Sequence, residues 1–99
     1  MFRYQVYCGL AVGSDTSKKT VDRSARLVHS AAATHLESYT VFEAQGCWKG
    51  QGEPTLIVEY ITDRATDITK VNAFAHEYKW SNHQESVMIV ETKPEVRFY

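Results

Sequence analysis

Thr55-Leu56-Ile57-Val58-Glu59-Tyr60-Ile61-Thr62 is the stretch on which the fold reading turns. β-Branched, aliphatic and aromatic residues fill it, without a glycine or proline, so it reads as the best strand of the chain. Just before it, Gly46-Cys47-Trp48-Lys49-Gly50-Gln51-Gly52 holds three glycines and predicts a turn. That turn joins it to an earlier strand, Tyr39 to Trp48. Just after it, Thr66 to Lys79 is predicted helical, with Ile68, Val71, Ala75 and Tyr78 on one face and Thr66 or Asp67 as the N-cap. Further out, Ser17 to His35 carries Val21, Ala25, Val28 and Ala32 at helical spacing, broadened by Ser24, Leu27 and Ala31. The Ala31-Ala32-Ala33 run predicts close packing on a sheet. Phe2 to Leu10 and Ser86 to Thr92 read as the outermost strands, and Pro94 ends the latter ahead of an extended tail, Glu95 to Tyr99. The order is βαββαβ. That order predicts an α+β, ferredoxin-like domain over residues 1–99: an antiparallel four-stranded sheet with two helices on one face.

Composition bounds the function. A chain of 99 residues is too short for two domains or a large α/β fold. Apolar residues at 43% and charged residues at 23% are ordinary for a folded chain and exclude disorder. A net charge of −1 gives no electrostatic reason to coat nucleic acid or an anionic membrane. The start, Met1-Phe2-Arg3-Tyr4-Gln5, lacks the pattern of a secretion signal, and the aliphatic runs are too short to span a bilayer. The expectation is a cytoplasmic protein whose Cys8 and Cys47 are reduced and mostly buried. A sheet with helices on one face leaves its other face open. With aromatic residues at 12% of the chain, that face is predicted to pack against copies of itself.

Motifs for familiar chemistry are sparse. His29, His35, His76 and His83 form no HxxxH or HExxH spacing and do not cluster with the cysteines, so neither a metal site nor any cofactor is expected. No serine sits in a GxSxG elbow. Cys8 and Cys47 have little around them to lower a thiol pKa, apart from Lys49 near Cys47. Gly9-Leu10-Ala11-Val12-Gly13-Ser14 follows a strand and precedes a helix. Backbone N–H groups near Gly9 and Gly13, with the helix start, are placed either to hold a carboxylate or phosphate or to serve as a plain loop. Tyr39, Phe42, Trp48 and Glu53 fall on neighbouring strands and the turn between them. A carboxylate among aromatic rings suits an organic cation. The same residues also suit an oligomer interface with a solvated Glu53.

The run Gly46-Cys47-Trp48-Lys49, then Glu53-x-Thr55 opening a strand, resembles the phage-encoded S-adenosylmethionine (SAM) lyases, long called SAM hydrolases. The aromatic first strand, Phe2 to Tyr7, is similar. So are the aromatics near the end of the second helix, Tyr78 and Trp80, and the Val-rich last strand, Val87 to Val90. The resemblance implies a homotrimer of ferredoxin-like subunits with active sites between chains. It implies cleavage of SAM into 5′-methylthioadenosine and homoserine lactone, in a phage context where lowering SAM blunts methylation-dependent restriction. It also implies Glu53 as the polar active-site residue with Tyr39 as its partner. Such a reaction needs no cofactor, because the substrate carries its own nucleophile and leaving group, and ring closure needs chiefly a folded near-attack conformer. Carboxylate and sulfonium neutralise each other in the transition state, so a water-poor aromatic site favours it. Glu53 then suits the substrate ammonium or ribose better than the sulfur. The Gly-x-Trp turn with a following Glu also resembles small PII-like proteins, which implies the alternative of a non-enzymatic module binding a small molecule or a protein.

Overall fold

A computed structural model describes the backbone of residues 1–99 and every side chain except that of Trp48. The best strand of the sequence is the second strand in from one edge. It is β3 (Gln51–Thr62), flanked by β2 (Thr40–Trp48) on one side and β1 (Phe2–Gly9) on the other, with β4 (Met88–Thr92) beyond β1. All three pairings are antiparallel, and the order β2-β3-β1-β4 is that of the ferredoxin-like fold.

Alternation along the strands sorts the two faces. Leu56, Val58 and Tyr60 of β3 and Tyr4, Val6 and Cys8 of β1 are buried beneath the helices. They meet Val28, Ala31 and Ala32 of α1 (Lys18–His35) and Val71, Phe74, Ala75 and Tyr78 of α2 (Ile68–Ser81). Each large apolar side chain in this layer stabilises the fold by about 1.5–3 kcal/mol. The opposite face carries a row running across all four strands, Phe42 opposite Ile57, Ile57 opposite Tyr7, and Tyr7 opposite Met88. Phe42 and Met88 in that row are 44% and 56% exposed.

The structure corrects the sequence reading at four places. The predicted turn from Gly46 to Gly52 is mostly strand. β2 continues to Trp48, β3 starts at Gln51, and only Lys49 and Gly50 turn. Both have positive φ, 50° and 77°, the conformation a two-residue hairpin with right-handed strand twist demands. The last strand begins at Met88 rather than Ser86, and the tail from Glu95 joins no ladder. On α2 the buried face is Val71, Phe74, Ala75 and Tyr78, while Ile68 is 39% exposed. A 3-10 turn, Ala65–Asp67, precedes α2, and Ile68 is the first residue of the helix. Of the two cysteines, Cys8 is buried but Cys47 is exposed.

Asp67 stands at the N-cap of α2, but its carboxylate bonds no N–H of the helix. It is 4% exposed and accepts instead from Thr62 Oγ1 (2.6 Å), Tyr60 Oη (3.1 Å) and Arg64 Nε (3.1 Å). These contacts, the Thr62 bond foremost, hold its pKa down to about 2 against the opposing effect of burial. A carboxylate with a depressed folded-state pKa stabilises the fold above its unfolded value of about 3.9, and that contribution is lost as pH falls. Thermal unfolding followed against pH is therefore expected to show a melting temperature that drops between about pH 4 and pH 2. In Asp67→Asn this part of the pH dependence is expected to vanish.

Candidate functional site

Three connections meet at one end of the sheet: the β1–α1 loop, the β2–β3 hairpin tip and the loop from α2 to β4. Antiparallel pairing of β1 with both β3 and β4 brings them there. Between them, over the helix-free face, lies a cavity of about 610 Å³. Small-molecule sites commonly span about 300–1,000 Å³. Glu53, Gly9, Gly13, Cys47, Gln84 and Glu85 are among its lining residues.

Glu53 is the half-buried acid of this cavity. Its backbone pairs with Gly46, and its side chain lies over Gly9. A Cβ on Gly9 would stand 2.6–2.8 Å from the carboxyl atoms, so only glycine leaves them room. Burial pushes the Glu53 pKa up, and a hydrogen bond from the Ala11 backbone N–H partly opposes this. The β1–α1 loop, a possible anion cradle in the sequence, thus turns the Ala11 N–H toward the protein's own carboxylate. Gly13, at φ 58°, sits in the tight turn closed by the paired Val12 and Asp15 backbones.

The chain leaving β1 is pinned on successive atoms. The Tyr78 hydroxyl donates to the Gly9 carbonyl, the Leu10 N–H donates to the Pro54 carbonyl at 3.0 Å, and Gln84 Nε2 donates to the Ala11 carbonyl at 2.9 Å. Behind Tyr78, Asn82 Nδ2 donates to the Tyr78 hydroxyl (3.0 Å) and to Ser24 Oγ (2.9 Å). Lys49 of the hairpin tip and Glu85 of the α2–β4 loop form an ion pair at 3.2 Å between two walls of the cavity.

The remaining sequence-predicted residues are distributed unevenly. Phe42 lies on the same helix-free face, in the apolar row rather than the cavity wall. The Trp48 side chain lies outside the described residues. Tyr39 lines a different groove of about 310 Å³, with Met1, Ile61 and Phe98. Tyr39 stands just before β2, seven positions ahead of Gly46, about 23 Å at strand rise, so one chain does not bring Tyr39 to Glu53. Gln84 and Glu85 escaped the sequence reading, and Ala11 entered it only as part of the β1–α1 loop. The signal for the first two is the polar run Asn82-His83-Gln84-Glu85-Ser86, which the βαββαβ order returns to the Glu53 end of the sheet.

The thiols differ in kind. Burial pushes Cys8 up to about 12, whereas Cys47 is exposed on the cavity wall. Thiolate is the reactive form. With a chromogenic disulfide reagent, Cys47 alone is expected to react in the native protein and both cysteines after denaturation. Reaction of Cys8 at the native-state rate of Cys47 would contradict this packing.

A two-layer, ferredoxin-like domain with a half-buried carboxylate in a cavity at one sheet end is the class of protein these features define. Among solved structures, a phage SAM lyase in its apo state shares the fold with a TM-score of 0.69 and 22% identity, over 92% of this chain and 78% of that one. A de novo designed protein, Foldit4, matches with a TM-score of 0.54 and 14% identity, over 95% of this chain and 96% of that one. No protein family and no curated protein matches the chain at the level of sequence. The fold is therefore that of a phage SAM lyase, and a fold by itself does not fix an activity. Among the described residues, no helix is long and apolar enough to cross a membrane.

Proposed function

We propose that this protein is a SAM lyase. The observation that carries the reading is the Glu53 carboxylate, half-buried over Gly9 in a cavity on the fold that the phage enzyme also has. In the reaction, an oxygen of the substrate's own carboxylate attacks its γ-carbon. The γ-carbon–sulfur bond breaks and its electron pair stays on sulfur. The sulfonium becomes the neutral thioether of 5′-methylthioadenosine, and the five-membered homoserine lactone leaves with its ammonium intact. No proton moves, and no water or enzyme nucleophile enters. The protein has to fold the substrate chain into a near-attack conformer and keep water out, and this can supply much of the rate. Glu53 binds the ammonium or ribose, so its charge does not hold the sulfonium back from neutralisation.

The apolar row Phe42–Ile57–Tyr7–Met88 gives copies of the chain a surface on which to assemble, and a homotrimer is the expected state. Tyr39 joins a Glu53 only from a neighbouring copy, as an intersubunit site requires. In a phage-infected cell the activity lowers cytoplasmic SAM and blunts methylation-dependent restriction.

The test is direct. Protein incubated with SAM is expected to yield methylthioadenosine and homoserine lactone in equal amounts, and bound SAM is expected to slow alkylation of Cys47. Tight binding without products would replace the lyase with a PII-like binding module.

A further inference from the structure

Glu53 touches the reacting molecule in the reading above, but nothing in its own side chain fixes where its carboxylate points. The geometry around Gly9 and Ala11 does. The carboxylate rests against Gly9, where an added Cβ would lie 2.6–2.8 Å from it, and feels the Ala11 N–H, so its position is tied to the three-residue segment Gly9–Ala11. That segment lies at the very end of β1, where ladder pairing stops at Gly9 opposite Thr55. Strand ends fray unless something else holds their backbone groups. Here both outward carbonyls are held from one place, the C-terminal end of α2 and the loop after it. Tyr78 holds the Gly9 carbonyl and Gln84 holds that of Ala11.

Tyr78 is itself immobilised. Its ring is fully buried, and its hydroxyl accepts from Asn82, which is also bonded to Ser24 of α1. The hydroxyl thus has both a donor role and an acceptor role filled inside the protein, which leaves it no part as a free acid or base. Its remaining use is to transmit the rigidity of the helix layer to the floor of the cavity.

We propose that Tyr78 and Gln84 are positioning residues that fix the Gly9–Ala11 segment and, through it, the Glu53 carboxylate. The kinetic consequence rests on the SAM lyase reading; the structural consequence does not, and the experiment separates the two. The structural readout is the titration of Glu53, followed by NMR of its side-chain carboxyl carbon in the full chain. His83, Lys49 and Glu85 line the same cavity, and Tyr78 and Cys8 lie behind it. His83, Lys49 and Glu85 are retained in Tyr78→Phe and Gln84→Ala, and the Cys8 thiol and the Tyr78 phenol are pushed far up by burial, so their charge does not change in the range scanned. In wild type, burial outweighs the Ala11 hydrogen bond and the midpoint is raised. When the segment loosens, the carboxylate loses both influences together, and the larger one decides the sign. Tyr78→Phe keeps the ring and removes only the hydroxyl; Gln84→Ala removes the amide from a surface loop. In each, the Glu53 midpoint is expected to fall toward the ordinary glutamate value of about 4.3. With SAM, kcat is expected to fall about tenfold while KM changes less than about twofold, because orientation and not affinity is lost.

A wild-type protein that does not cleave SAM removes the kinetic arm and the lyase reading, yet leaves the titration to decide the positioning role. A Glu53 midpoint that stays at its wild-type value in both folded variants overturns the proposal, even if their melting temperatures fall. Should Tyr78→Phe fail to fold, Gln84→Ala decides alone.

Discussion

Glu53→Gln is expected to lower SAM turnover by at least about tenfold while leaving the fold and the oligomeric state as they are. Glutamine keeps the size of the side chain and can still take the Ala11 N–H through its amide oxygen, so the Gly9–Ala11 segment keeps its partner. Only the negative charge is lost. A charge-assisted hydrogen bond contributes about 1.5–3 kcal/mol, and each 1.4 kcal/mol is roughly a factor of ten in rate. The fold should not suffer, because a half-buried acid whose pKa burial has raised is not held at its best as an anion. Removing that charge can even add stability near neutral pH. Steady-state kinetics with SAM, circular dichroism and sedimentation equilibrium check the three parts together. Wild-type turnover in Glu53→Gln would remove Glu53 from the site. An oligomer lost along with activity would point instead to assembly.

Gly9→Ala is expected to do comparable damage by a different route. The added methyl would overlap the Glu53 carboxyl at 2.6–2.8 Å, far inside contact distance. What stands in its way is the end of a flexible side chain, so the carboxylate moves and the backbone stays. Gly9 has no positive φ that an alanine would strain. Alanine also restricts the unfolded chain, worth about 0.4–1 kcal/mol in favour of the fold. The melting temperature is thus expected to move by only a few degrees, while turnover falls about tenfold or more, as a displacement of about 1 Å in a catalytic group allows. The decisive variant is the double mutant. If Gly9 acts only through Glu53, adding Gly9→Ala to Glu53→Gln is expected to lower SAM turnover by no more than about twofold further, a strong departure from additivity. Full additivity would give Gly9 a role of its own against the substrate.

The helix layer and the sheet were legible because their signals are periodic. Val28 and Ala32 at helical spacing, and the β-branched, aliphatic and aromatic run of β3 from Thr55 to Thr62, without glycine or proline, each repeat a local preference over several residues. The hairpin misled because glycine is an ambiguous sign. Gly46 and Gly52 belong to strands, and of the three glycines only Gly50 takes positive φ. Asp67 sat where an N-cap should be, but three donors from β3 and the loop before α2 claim its carboxylate, and that competition is tertiary. The site divides in the same way. Glu53 and Gly9 could be named from the sequence, one through its turn and one through its loop. That the first lies on the second, with Ala11 closing the contact, depends on a register no local pattern encodes. Tyr78 read as an ordinary helix-face aromatic, which its ring is; its hydroxyl reaches back 69 residues to Gly9.

The Asp67 cluster and the Glu53 cavity lie at opposite ends of β3, and this gives the sheet an unequal stiffness along its length. At one end, Tyr60, Thr62, Arg64 and Asp67 tie strand, loop and helix together in hydrogen bonds, those of Tyr60 and Thr62 buried. At the other, β2 and β3 run out to the two-residue tip at Lys49 and Gly50. Backbone amides near the tip can then exchange with solvent through small local openings, whereas those around Val58 and Tyr60 exchange only when the whole molecule unfolds. A ligand seated between the tip and the α2–β4 loop would slow the first class and leave the second governed by global stability. A ligand bound there is expected to order that end of the molecule without the anchored end registering its arrival.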